Sequence, residues 1–195
     1  MTGRLAASAL LAGALMALAA GCWPNGTPAA PPRPAPTPTP APAAALRAPA
    51  DAVLPAIPGL SLTSARDRLS AAEYAAAQPD EVASLDQVRA WGWQEASLRR
   101  WSGGGRSAEA LVLRTDRVGG ARLVFAAWSV EATAAPFVGG DCPAGLAGLD
   151  ECREGVAGTR TIVVGRLDVE VFRLDLTGVD AAATAAAQAQ RLRAT

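Results

Sequence analysis

The stretch WQEASLRRWSGGGRSAEALVLRT, residues 93–115, decides the fold. Trp93–Trp101 and Glu109–Thr115 are two strand-length runs, and the Ser102-Gly-Gly-Gly-Arg-Ser107 segment between them has the composition of a turn. Together they predict a β-hairpin. Trp93 and Trp101 stand eight apart, which on a regular strand puts both on one face. A second hairpin is predicted where Thr159–Arg166 and Leu167–Leu176 concentrate Val, Ile and Leu. In its second arm Leu167, Val169 and Val171 alternate in one phase, and Phe172, Leu174 and Leu176 in the other. That change of phase predicts a bulge near Val171-Phe172.

A helical stretch follows each hairpin. Ala121, Val124, Phe125, Trp128 and Ala132 share one helical face; a third strand after a Gly119-Gly120 turn is the alternative for 121–132. Val179–Arg193 is nearly all Ala, Gln and Arg, which are good helix formers. Asp180 in its first turn and Arg191 and Arg193 in its last suit the helix dipole. Upstream, 51–62 reads as an extended lead-in. Ser64 is placed to cap a helix over Ala65–Gln78 that Pro79 ends. Ser84-Leu-Asp-Gln87 has the form of a capping box opening a short helix to Trp91, stopped by Gly92. The expected fold is α+β: an antiparallel sheet from two β-hairpins with helices packed on one face. It occupies residues 51–195, about 145 residues, enough for one core.

The remaining 50 residues divide in two. Residues 1–21 have the parts of a secretory signal: Arg4, then an apolar run from Leu5 to Ala20 that is too short to span a bilayer comfortably. Ala19, Ala20 and Gly21 lead to Cys22. This junction resembles the lipobox of bacterial lipoprotein precursors. The resemblance implies cleavage before Cys22, a diacylglyceryl group on its sulfur, and a protein anchored at the extracytoplasmic face of the cell membrane. Two acyl chains hold where one binds only reversibly. Residues 22–50 comprise the lipidated cysteine and a linker with ten prolines at 23–50. Such a segment favours an extended polyproline path of about 3.1 Å per residue, a stand-off from the membrane.

Composition narrows the chemistry. The chain has 18 basic residues, all Arg, against 18 acidic ones, with no His and no Lys. So even a balance gives no basic face for nucleic acid. The missing types remove Ser-His-Asp and Cys-His catalysis, imidazole metal ligands and lysine nucleophiles. No catalytic, cofactor-binding or metal-ligating residue is assigned. With Cys22 lipidated, Cys142 and Cys152 are an even pair in an oxidising compartment and read as a disulfide. The bridge would close a loop worth roughly 3 kcal/mol in chain entropy.

Three features carry a candidate site and a plainer alternative each. Trp91, Trp93, Trp101 and Trp128 form either an aromatic platform or a core cluster, and the core is the better reading for a small domain. Asp168 and Glu170 form an acid–base pair, a site for a hard cation or a solvated strand face, and the solvated face is preferred. Asp150, Glu151, Arg153 and Glu154 gather in the predicted disulfide loop, a surface fit for a partner. Gly103-Gly-Gly105-Arg106 lacks the ending of a phosphate loop and lies between strands.

The order of Gly92-Trp93, Arg100-Trp101, strand, Ala-rich helix, two-cysteine loop, strand pair and Ala/Gln/Arg helix resembles small α+β domains of actinobacterial lipoproteins. It also resembles the extracellular sensor domains of some actinobacterial serine/threonine kinases. The resemblance implies ligand binding and assigns no residue a role. The expected function is a membrane-anchored, non-enzymatic binding or sensor domain whose partner is an envelope protein or small ligand. The alternatives are a carrier of a hydrophobic envelope ligand, such as a lipid, and a carboxylate-based hydrolase.

Overall fold

The computed structural model describes residues 49–143 and 146–194. Cys22, the apolar run before it and the linker as far as residue 48 lie outside the described residues. The elements in chain order are α1 (Pro49–Ala52), β1 (Ser61–Leu69), α2 (Ala71–Ala76), α3 (Glu81–Trp91), β2 (Trp93–Gly103), β3 (Arg106–Thr115), α4 (Val118–Thr133), β4 (Val138–Gly140), β5 (Glu151–Ala157), β6 (Arg160–Leu167), β7 (Glu170–Thr177) and α5 (Ala181–Arg193). The strands form one seven-stranded sheet in the order β1-β2-β3-β7-β6-β5-β4, with every neighbouring pair antiparallel. The fold is α+β, as expected.

Both hairpins are present. Gly104 and Gly105 connect β2 and β3, with φ of 59° and 74°. Two consecutive left-handed residues match the strand twist, and glycine adopts them without a Cβ clash. The hairpins lie side by side because β3 pairs with β7, Ala110 opposite Leu174 and Val112 opposite Phe172. The helix over 118–133 replaces the alternative of a third strand there, and α5 begins one residue after its cap, Asp180, whose Oδ1 accepts from Ala183 N at 3.0 Å.

The segment around Ser64 departs from expectation. Residues 61–69 form an edge strand, paired with β2 through Leu62–Trp101 and Ala65–Arg99, where a helix over 65–78 was expected. The side chains of this strand are nearly all exposed. It is held by backbone pairing, and so it shows no apolar period. Helix formation waits for Ser70, which accepts from Glu73 N at 3.2 Å while Glu73 Oε2 accepts from Ser70 N at 2.9 Å, a complete capping box. In α3 the cap is Asp80 rather than Ser84: Asp80 Oδ1 accepts from Ala83 N at 3.0 Å. The β4 and β5 strands were not expected; they lie on either side of the two-cysteine loop.

Helices cover both faces of the sheet, where one was expected. On the first face Trp101, Ala108, Ala110, Val112, Val163, Phe172, Leu174 and Leu176 pack under α1 and α5, against Val53, Leu54, Ala185, Ala189 and Leu192. On the second face Ala96, Leu111, Leu113, Ile162, Val164 and Val171 pack under α3 and α4, against Val88, Trp91, Ala121, Val124, Phe125 and Trp128. Two covered faces explain the phase change in the second hairpin. Val171 and Phe172 belong to opposite cores, and the β6–β7 register runs unbroken from Leu167–Glu170 to Arg160–Thr177, so no bulge is needed. The irregularity lies instead between Trp93 and Glu95. It turns Trp93 to the second core and leaves Trp101 in the first, so the two tryptophans do not share a face. On β5, Gly155 lets α4 lie directly on the sheet: a Cβ there would overlap the carbonyl oxygen of Ala132.

Candidate functional site

The tryptophans are core residues. Trp91, Trp101 and Trp128 are 3%, 2% and 2% exposed. Trp91 and Trp128 meet edge to face at 6.4 Å, and Tyr74 joins Trp91 at 6.2 Å and Trp93 at 5.0 Å. This ring cluster ties α2, α3, α4 and β2 together, and it offers no open platform for stacking.

The cluster forms the back of a cleft of about 340 Å³ on the second face. The apolar rows of β2, β3 and β7 on this face stop at Leu98, Leu111 and Val171. Beyond them the same face carries Arg100 on β2, Glu109 on β3, and Arg173 and Asp175 on β7. Cross-strand pairing sets Arg100 opposite Glu109 and Glu109 opposite Asp175. Helix α2 supplies one wall through Glu73, Tyr74 and Gln78, and α4 the other through Trp128 and Glu131. The floor is therefore a row of charges between two helices.

Those charges form an alternating chain. Arg100 Nε donates to Glu109 Oε2 at 2.6 Å, Arg173 Nη1 lies 3.6 Å from Glu109 Oε1, and Arg173 Nη2 lies 2.9 Å from Glu131 Oε2. Arg173 also approaches Asp175 at 3.4 Å, and Asp175 takes two donors from Arg160, at 2.9 and 2.7 Å. The Asp175 hydrogen bond holds the Arg160 guanidinium above its ordinary value. Arg173 and Glu109, in the middle, are 17% and 26% exposed; Glu131 and Arg100, at the ends, are 51% and 54% exposed. Desolvating ions costs several kcal/mol each unless they are paired, which accounts for the closed pairs in the middle. Arg173 Nε is buried with no hydrogen-bond partner among the described residues.

Above the floor, Tyr74 Oη accepts from Trp128 Nε1 at 3.3 Å, so its own proton is available to the cleft. Burial raises the Tyr74 hydroxyl above its ordinary value, a shift that the Trp128 hydrogen bond opposes and the nearby Glu131 charge assists. Tyr74 is a neutral donor here.

The carboxylates singled out from the sequence lie elsewhere, and they are not a pair. Glu170 is buried, against the expectation of a solvated face: Arg114 Nε and Nη2 both donate to its Oε1, the former at 3.1 Å. Asp168 sits in the β6–β7 turn with φ of 52°. Its amide donates to Asp150 Oδ2 at 2.8 Å, and its carbonyl accepts from Arg166 at 3.0 Å. Arg166 is buried and also pairs with Asp150 and Glu151. Two members of the charged loop cluster thus hold a turn. Arg153 is exposed, and desolvation raises the Glu154 carboxyl. Cys142 and Cys152 stand at disulfide distance with Cα atoms 5.8 Å apart, and both pack against the first core. Gly103-Gly-Gly105-Arg106 is the hairpin turn, with Arg106 donating to Gly59 O at 3.0 Å.

Two other concavities lie away from the cleft. An open trough of about 810 Å³ runs past Arg68, Glu95, Arg114 and Asp116 at the opposite end of β2 and β3. An apolar groove of about 340 Å³ lies between Leu54–Pro58 and the first turns of α5. Among the described residues no group of three or more His, Cys, Asp or Glu is placed to hold a metal ion, and no helix is long and apolar enough to cross a membrane.

Sequence reasoning missed the cleft because its members are scattered from Arg66 to Arg173. One signal was visible: Arg173 and Asp175 interrupt the apolar run of β7 on the face opposite Phe172, Leu174 and Leu176. Comparison with protein-family models, with curated proteins and with solved structures finds no match for this chain.

Proposed function

We propose that this chain is a lipid-anchored, extracytoplasmic binding domain, attached through Cys22, and that the cleft between α2 and α4 is its ligand seat. One observation carries the reading: a row of partly buried charges on the sheet is left uncovered where helices could have closed over it. Partly buried ion pairs contribute little stability for the desolvation they require, so the arrangement is better accounted for by recognition. The reading is of a non-enzymatic domain. The chain contains no His and no Lys, and Glu73, Glu109, Glu131 and Asp175 are each engaged by an arginine. A hydrolase built on Asp168 and Glu170 loses its support, since Arg114 occupies the one and a turn holds the other.

A second reading, a carrier of an apolar envelope ligand, draws on the groove beside α5, whose lining from Leu54, Ile57, Val179 and Ala187 is aliphatic.

Two measurements test the proposal. Full-length protein should fractionate with membranes, and Cys22→Ser should release it or stall its processing; a normally cleaved, membrane-bound Cys22→Ser protein would contradict the anchor. Adding the small-molecule pool of the cell envelope to labelled protein should move resonances around Tyr74, Arg100 and Trp128. Shifts confined to Leu54, Ile57 and Ala187 would favour the carrier.

A further inference from the structure

On the reading that the cleft is the ligand seat, we propose that its ligand is a small zwitterion: a free amino acid or short peptide with both termini unblocked. The ligand's ammonium group would meet Glu131 and its carboxylate would meet Arg100.

The argument rests on how the charge chain ends. Between Glu131 and Arg100 the two inner members, Arg173 and Glu109, face each other and are the more buried. Within the cleft the chain closes in the middle and presents two half-exposed ends of opposite sign, a carboxylate on α4 and a guanidinium on β2; the branch through Asp175 to Arg160 runs outside the cleft, and Arg66 and Glu73 on its rim pair with each other at 3.3 Å. A ligand with one charge would compensate one end and leave the other desolvated beside it. A ligand with both charges answers both ends and leaves the inner pair intact. Arg100 uses Nε on Glu109, and its terminal nitrogens offer the planar fork that suits a carboxylate.

The spacing agrees. Arg100 stands on β2 and Arg173, which holds Glu131, on β7; β3 lies between them. Two strand steps span about 10 Å. A molecule of one or two residues, with a repeat of about 3.5 Å, is of the same scale. Tyr74, a neutral donor over the floor, and Gln78 can serve an amide or carboxylate oxygen between the two ends. A neutral glycan fits less well, because the rings of Trp91 and Trp128 are edge-packed and buried and offer no face for stacking.

The test uses the full chain labelled with ¹⁵N and follows the Trp128 indole N–H, assigned with Trp128→Phe. The probe is L-alanyl-L-alanine, run beside its N-acetyl form, its C-terminal amide and inorganic phosphate. The unblocked dipeptide should shift the indole and bind at least about tenfold more tightly than either blocked form, the scale of one charge-assisted hydrogen bond. Arg100→Gln, at an exposed position, should weaken the dipeptide about tenfold and abolish its advantage over the amide. Glu131→Gln should abolish its advantage over the acetylated form. Equal binding of blocked and unblocked peptides, or no shift with the dipeptide, would overturn the proposal. If phosphate or the envelope pool moves the Trp128 indole while the dipeptide does not, the zwitterion falls and the cleft stands. If the envelope pool moves resonances only elsewhere, the cleft falls as well.

Discussion

On the face under α1 and α5, the polar side chains that reach residues 49–54 bind backbone. Gln188 accepts from Leu54 N and donates to Ala52 O, and Arg99 donates to Leu54 O and Ala50 O. On the face under α2 and α4, Arg100, Glu109, Arg173 and Glu131 bind one another in a chain and line an opening. Both faces belong to the same strands, and adjacent residues serve opposite purposes: Arg99 points to one face, Arg100 to the other. The contrast teaches that burial alone does not identify a site in this molecule. Gln188 is fully buried and structural, whereas Arg100 is half-exposed and is the better functional candidate.

Substitutions can break or sharpen that contrast. On the sealed face, Trp101→Ala should lower stability by about 3–5 kcal/mol, seen as a large fall in melting temperature, because nothing nearby can fill the space. A loss below about 1 kcal/mol would mean that this core is looser than described. The buried pair comes next. Glu170→Ala leaves the Arg114 guanidinium uncompensated and should cost about 3–5 kcal/mol by denaturant titration. A neutral result would restore Glu170 to the surface. Reducing the Cys142–Cys152 pair should cost up to about 3 kcal/mol, since its loop is short. Two thiols that alkylate readily in unfolded, unreduced protein would refute the pairing. On the open face, Arg100→Gln should change stability by less than about 1 kcal/mol, the range of exposed ion pairs, while removing ligand response. A large loss of stability there would make Arg100 a structural residue and erase the difference between the faces. The smallest effect is alkaline. Burial raises the Tyr74 hydroxyl, so its contribution is fully present below about pH 10 and falls as pH rises through the folded value. Tyr74→Phe should flatten that part of the pH–stability curve.

Much of the fold was legible because its signals are local. Gly104-Gly105 marks a turn whatever surrounds it, and the period of Ala121, Val124, Phe125, Trp128 and Ala132 is that of the buried face of α4. The failures share a cause: tertiary pairing leaves no local trace. The Ser61–Leu69 strand exposes nearly every side chain and exists because β2 offers it a backbone edge, so its composition permits a helix equally well. Glu170 looked solvated because its partner, Arg114, is 56 residues away. The one-residue shift at Trp93–Glu95 moved a tryptophan to the other core, and no residue type announces it. Coverage on both faces removed the alternation that marks a half-buried strand, so β7 read as a bulged strand. The cleft was the least legible of all, since each charge in it has an ordinary surface appearance until the strands are set in register.

The clamp on residues 49–54 also has a mechanical side. Arg99, Gln188 and Arg191 grip the carbonyls of Ala50, Asp51, Ala52 and Leu54 from β2 and the last helix. The edge strand β1 begins only at Ser61. A pull on Pro49 is therefore taken up by the clamp before it can peel β1 from β2 like a zipper. With the anchor proposed at Cys22, load arriving along the linker would divide between α5 and β2 and reach the edge strand last.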